Sequence, residues 1–244
     1  MVIQVAFEGA LDVLAIAAHP DDVEQTCGGT LIRMAEMGYR TGVMDLTAGD
    51  MGSRGTPELR MQEAATAAVQ LRLAFRGNLK MPDARLQNDL AARMTLAYEL
   101  RQVKPRVVII PYWEARHPDH YRAGELAYEA CFLAGLRKLD EYSEAHRPFK
   151  VLYSSLYANV TPSFVVDISA QFERRMAALF SYESQYGRTT DAADLFPEAQ
   201  EIRERHAAIA RFYGNLIGVK YGEPFVVKET MRVEDIVSLG VRSF

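Results

Sequence analysis

LAIAAHPDDVEQTCGGTL, residues 14–31, starts as an apolar run and breaks off at His19-Pro20-Asp21-Asp22. The run LDVLAIAA (11–18) is short, rich in Leu, Val and Ile, and stopped by a proline. That is the pattern of a strand buried on both faces. Beyond it, GGTLIRMAEMGY (28–39) puts Leu31, Met34 and Ala35 on one helical face. A buried strand running into a helix opens a parallel sheet. Three ionisable side chains left at the edge of its core are costly unless something uses them.

The pattern recurs. RTGVMDLT (40–47) reads as a second strand, and PELRMQEAATAAVQL (57–71) as a helix with Pro57 in its first turn. A shorter strand lies near 73–78, and an amphipathic helix covers 88–103. PRVVIIPY (105–112) is the cleanest buried strand; HPDHYRAGELAYEACFLAGL (117–136) is a long helix with Pro118 at its start. The alternation predicts an α/β, Rossmann-like three-layer sandwich, a mostly parallel sheet with helices on both faces. Past residue 140 the pattern changes. A polar loop at 141–150 precedes strands within 150–160 and 163–169, then helices over 171–186 and 197–218, with 187–194 a mobile loop. No repeat or long linker divides the chain. We read one domain: a leader at 1–10, the core at 11–140, and a C-terminal part at 141–244 that completes the pocket.

The 244 residues are 49% hydrophobic and 25% charged, with net charge −4, an ordinary globular composition. No basic run marks a nucleic-acid partner. Cys27 and Cys131 make no disulfide framework, and no signal peptide or membrane span is legible, so a cytoplasmic location is expected.

Both His-Pro-Asp stretches follow buried strands, at the sheet edge where open α/β folds bind ligands. Three of the five histidines fall in them; His146 and His206 sit in polar, exposed-looking context. With Pro118 opening a helix, His117 is near its N-cap and His120 one turn in, on the same side. Asp21 and Asp22 are loop neighbours whose side chains diverge. Two His and one Asp, with an Asp and a His left over, make the inventory of a catalytic zinc site with an open position for water. The bland alternative for either stretch is a turn whose Asp caps the next helix. Cys27 reads as packing beneath the helix start, Cys131 as core, and Tyr112 and Trp113 equally as pocket rim or packing.

AHPDD (18–22), GGT (28–30), GDMGSRGTPELRMQEA (49–64) and RHPDH (116–120) resemble the PIG-L/LmbE-like zinc-dependent deacetylases. DLTAGDMGSRGTPELR, FRGNLKMPDARL, PSFVVDIS, SYESQY and GVKYGEPF are similar to segments of the bacillithiol-pathway branch, which deacetylates N-acetylglucosaminyl malate. The resemblance implies His19, Asp22 and His120 as metal ligands, Asp21 as general base, and a protonated His117 at the oxyanion. It implies Arg54 as a substrate contact. Asp119 is expected to orient His117 or cap the helix. The implied cofactor is Zn2+, with Fe2+ also acceptable to such ligands. The implied partners are a small N-acetylglucosamine conjugate and further copies of the chain, as a homo-oligomer up to a hexamer. Other conjugates (chitobiose, a glycolipid, a thiol conjugate) and a non-catalytic zinc- or sugar-binding role are the alternatives. The stretch after SYESQY lacks the tyrosine that family members often hold over the site. Tyr186 or Phe196 takes that place.

Overall fold

The structure is a computed structural model that describes residues 9–140, 142–156, 158–187 and 198–241. β1 (Val13–Ala17), β2 (Thr41–Thr47), β3 (Phe75–Met81), β4 (Val107–Pro111) and β5 (Lys150–Ser154) form one parallel sheet in the order β3-β2-β1-β4-β5. Chain order reverses at β1, which pairs with β2 on one side and with β4 on the other. That places a crevice at the C-terminal ends of β1 and β4. Every residue of β1 and β2 is buried, as their apolar runs require.

The expected layers are present. Leu14 and Ile16 of β1 pack with Leu96 and Leu100 of α4 (Leu90–Val103) and with Leu126 and Ala130 of α5 (Pro118–Ala134). Val13, Ala15 and Ala17 face the other way. They pack with α1 (Asp22–Thr26), α2 (Gly28–Glu36), α3 (Pro57–Leu71) and α6 (Phe172–Leu179). Alternate residues of a strand point to opposite faces, so one strand seeds both cores.

The C-terminal part differs from expectation in three ways. The helix read over 171–186 is broken into α6 and α7 (Glu183–Tyr186), although no Gly or Pro marks the break. Tyr182, at the break, is fully buried with its hydroxyl donating to Glu24 Oε1 at 3.1 Å. That tertiary anchor outweighs helix propensity. Of the two later strands, only β5 joins the main sheet. β6 (Phe164–Asp167) instead pairs antiparallel with β7 (Gly222–Phe225), a strand hidden in the sequence by its Gly and Pro. Thirdly, His206 on α8 (Ala199–Asn215) is buried, because that face packs on α6 and β7; His146 is half-buried, Nε2 2.7 Å from the Pro105 carbonyl. Most of the expected leader, most of the 187–194 loop and Phe196 lie outside the described residues.

The Gly28-Gly29 pair has a specific reason. Glu223 of β7 sets its carboxylate against the start of α2, accepting from Gly29 N (2.9 Å), Thr30 N (2.7 Å) and Thr30 Oγ1 (2.6 Å). A carboxylate suits the positive end of a helix. A Cβ on Gly29 would lie 2.9 Å from Glu223 Oε1, so a side chain there would displace it.

Candidate metal centre

His19 and Asp22 lie just beyond β1, and His117 and His120 begin α5 after β4. The reversal of strand order brings the two stretches together. His117 is the N-cap of α5, and its Nδ1 accepts from Asp119 N at 3.2 Å. His120 follows one turn later, with ring centroids 5.1 Å apart.

Three donor atoms converge. His19 Nδ1 lies 3.2 Å from His120 Nε2 and 3.5 Å from Asp22 Oδ2, and His120 Nε2 lies 3.2 Å from Asp22 Oδ1. Ligands about 2.0–2.1 Å from a tetrahedral ion stand about 3.3 Å apart, so this triangle has the size of one face of such a site. One nitrogen each of His19, His117 and His120 also falls within 4.8 Å of the others, so His117 borders the same point.

Charge says the same. Burial works against protonation of His19, yet Asp119, Asp22 and Asp83 push it up to about 12. For His120, too, burial is outweighed by Asp22, and its pKa rises. Burial alone would raise Asp22, but His120 and His19 hold it well below the usual carboxylate range. The carboxylates thus demand positive charge at this point, and a divalent cation supplies it without protons.

The other face of His19 is gripped from behind. Its Nε2 is 3.0 Å from Asp83 Oδ1 and 3.5 Å from Asp119 Oδ2. A carboxylate behind a histidine fixes the ring and its tautomer, freeing Nδ1 to ligate. Asp119 orients His117 only through its backbone N–H, which donates to His117 Nδ1, and its carboxylate does not cap the helix. Its fully buried carboxylate accepts from Ala84 N (2.7 Å) and Leu86 N (3.3 Å) and backs His19, while the imidazole of His117 serves as the helix cap. Asp83 was missed by the sequence reading; PD in KMPDARL was its only signal.

Asp21 stands apart from the donors. Its backbone is left-handed, φ 107°, a strained conformation for an aspartate. The twist turns its carboxylate away from α1, which gets no side-chain cap, and towards Tyr186 and Arg60. Tyr186 Oη donates to Asp21 Oδ2 at 2.9 Å, and Arg60 Nη2 lies 3.5 Å from the same oxygen. Arg60 also donates to the Pro20 carbonyl at 2.6 Å, fixing the loop. Burial raises Asp21 to about 7, helped by the Asp22 charge and opposed by Arg60, Tyr186 and His19. A carboxylate poised there suits a general base.

Arg54 is half-buried and clasps α7. Its Nη1 donates to the Gln185 carbonyl (3.1 Å) and Gln185 Nε2 donates to the Arg54 carbonyl (2.8 Å). The expected substrate contact thus lies beside Tyr186, on the segment covering Asp21. Cys27 is buried beneath α2, where burial pushes its thiol up, and Trp113 packs edge-on to Tyr153.

The sequence profile of PIG-L, GlcNAc-PI de-N-acetylase, matches residues 14–131, a span containing every centre residue named above except Tyr186. A conserved protein from Thermus thermophilus has the same fold, with TM-score 0.83 and 42% identity over 92% of this chain and 98% of its own. The chain belongs to the PIG-L family. Among curated relatives of this PIG-L chain is the diacetylchitobiose deacetylase of Thermococcus kodakarensis, 29% identical over 89% of this chain and 83% of that protein. Another is a probable N-acetyl-α-D-glucosaminyl L-malate deacetylase of Bacillus anthracis, 28% identical over 71% and 81%. This PIG-L protein is therefore a deacetylase of N-acetylglucosamine-type substrates; the match to the Thermococcus enzyme covers more of the chain than the match to the malate deacetylase, so closeness to the bacillithiol branch is only weakly supported.

Proposed function

We propose that the chain hydrolyses the acetamide of an N-acetylglucosamine conjugate at the centre formed by His19, Asp22 and His120, with Asp21 as the base. The observation that carries this is the donor triangle with a separate, raised carboxylate beside it. A zinc ion held by those three residues would supply Lewis acidity towards the amide oxygen and acidify a water. Asp21 takes the proton of the attacking water. Tyr186 and Arg60 hold its Oδ2, leaving Oδ1 for that proton. The acid formed on Asp21 can return the proton to the departing amine.

His117 faces the developing oxyanion as a neutral donor rather than as the imidazolium inferred from sequence. Its Nδ1 accepts the Asp119 amide, so its proton resides on Nε2. Burial, with His19 and His120, lowers its pKa. A neutral imidazole N–H still stabilises an oxyanion, as a preorganised dipole.

Two substrates fit this chemistry. The malate conjugate is supported by the sequence resemblance and gives Arg54 a carboxylate to meet. Diacetylchitobiose is supported by the longer match to the Thermococcus deacetylase. Acetate release from each, beside free N-acetylglucosamine, tests the proposal on protein of measured metal content. Activity lost to a chelator and restored by zinc is the expected result. Metal-loaded protein that releases no acetate from any of the three would refute it.

A further inference from the structure

The outer edge of the sheet is unfinished. Every residue of β1 and β2 is buried, yet Val151 and Leu152 of β5 are only half-buried and Lys150 is exposed. Among the described residues β5 has β4 on one side and, on the other, only the antiparallel bridge between Tyr153 and Val226. Parallel strands are ordinarily covered on both faces, and an open edge presents unpaired N–H and C=O groups. A groove of about 1050 Å3 follows this edge. Phe132 of α5 and Phe149 line it, 57% and 80% exposed, with the half-buried Phe164 and Val166 of β6.

The groove is also basic. Arg93 there is paired with Glu129 at 2.6 Å, but among the described residues neither Arg147 nor Lys150 has a carboxylate partner. Arg147 donates to the Phe132 carbonyl at 3.3 Å and lies over the Phe132 ring.

The chain carries a segment of complementary character. In MRVEDIVSLGV (231–241), Met231, Val233, Val237, Leu239 and Val241 fall at alternate positions, with Arg232, Glu234, Ser238 and Gly240 between them. That is the period of a half-buried strand. Yet the segment joins no strand, and each of its residues is exposed, Val237 to 91%. Its middle, Glu234-Asp235, is acidic.

This segment cannot complete its own edge. Continued antiparallel from the Val226–Tyr153 bridge, the chain would pass Lys150, the first residue of β5, at Glu229, before the alternation begins. In fact it leaves the edge sooner. Val227 N donates to Ser163 Oγ at 3.0 Å, and Lys228 Nζ lies 4.8 Å from the ring centroid of Tyr128 and 5.0 Å from those of Trp113 and Tyr153.

We infer that the edge of β5 is an interface between copies of this chain. The groove takes residues 231–241 of a second copy as an added strand, with Glu234 and Asp235 meeting Arg147 and Lys150. Main-chain pairing supplies the affinity and the alternate apolar side chains fill the groove. Each copy brings one such segment and one such edge, so a closed assembly leaves neither exposed. The inference does not depend on the deacetylase reading.

The test is sedimentation velocity on the full chain, which should run as an oligomer. Val237→Glu and Phe149→Glu, both at side chains exposed in the single chain, should each run as a monomer with an unchanged far-UV CD spectrum. Asp235→Lys should raise the dissociation constant by about tenfold or more, because it sets like charges together. Adding Lys150→Asp to that variant should recover part of the loss. A full chain that runs as a monomer overturns the inference, whether the segment stays free, folds onto its own groove or binds another protein. So does an oligomer that survives either glutamate substitution, or a double variant that associates no more tightly than Asp235→Lys. Acetate release is measured separately, so either conclusion can fail without the other.

Discussion

Replacing Tyr186 by Phe isolates one contribution to the base. The Tyr186 hydroxyl is a 2.9 Å donor to Asp21 Oδ2, and the substitution removes it while leaving the ring in place. Asp21 already titrates at about 7, because burial outweighs Arg60 and the Tyr186 hydrogen bond. A hydrogen bond to a charged acceptor contributes about 1.5–3 kcal/mol, and one pKa unit is about 1.4 kcal/mol, so the loss should raise Asp21 by about 1–2 units. Only the carboxylate form accepts a proton, so activity falls as pH drops through this pKa. The acid limb of kcat/KM should therefore move to higher pH by about 1–2 units. A bound cation lowers the absolute position of both limbs, so wild type and variant must be compared at equal metal content. The assay is acetate release across the pH range, with metal measured in each sample. Coincident acid limbs would refute the reasoning, because the group whose titration limits kcat/KM would then not be the carboxylate that Tyr186 holds.

Asp21→Ala should abolish turnover yet keep the metal, whereas Asp22→Ala should lose both; elemental analysis of the purified variants separates these cases, and metal loss in Asp21→Ala would make that residue a ligand. Gly124→Ala should destabilise the fold by about 1–3 kcal/mol in denaturant unfolding, typical of overpacking, because its Cβ would lie 2.5 Å from the Pro111 carbonyl oxygen. His206 has a folded pKa of about 3 against 6.5 unfolded, so the unfolded chain binds more protons between those values. Stability should hold above about pH 6.5 and then fall by up to about 1.4 kcal/mol per unit as pH drops. Urea unfolding should show a shallower decline for His206→Gln, and equal slopes would refute the assignment.

The sheet and the histidine-aspartate pairs were legible because they depend on local pattern. An apolar run ended by His-Pro-Asp places its polar residues at a strand's end wherever the strand sits, and Pro118 fixes the helical spacing of His117 and His120. Asp83 and Arg60 were not recognised because their roles exist only after packing, and Tyr186 was named only as a cover for the site, not as the hydrogen-bond partner of Asp21. Nothing adjacent to Arg60 says that it will reach the Pro20 carbonyl. His206 sits among charged residues, and its burial is decided by Arg175 and β7, elements remote in sequence. The break before α7 is likewise set by the Tyr182 hydroxyl meeting Glu24, a contact 158 residues away along the chain.

His19 and His120 are 101 residues apart, and their stretches meet only because β1 lies beside β4, from Val13–Val107 to Ala15–Ile109. An ion shared by them would be a removable cross-link closing a loop of about one hundred residues, a length at which closure carries a large entropic cost in the unfolded chain. It would also fasten the two halves of the sheet at their junction. Its stabilisation would grow with the logarithm of free ion concentration over Kd. Removing the metal would then do more than silence the chemistry, because it would unclasp the seam between β1 and β4. Hydrogen exchange in those strands should quicken before it does in β2 and β3.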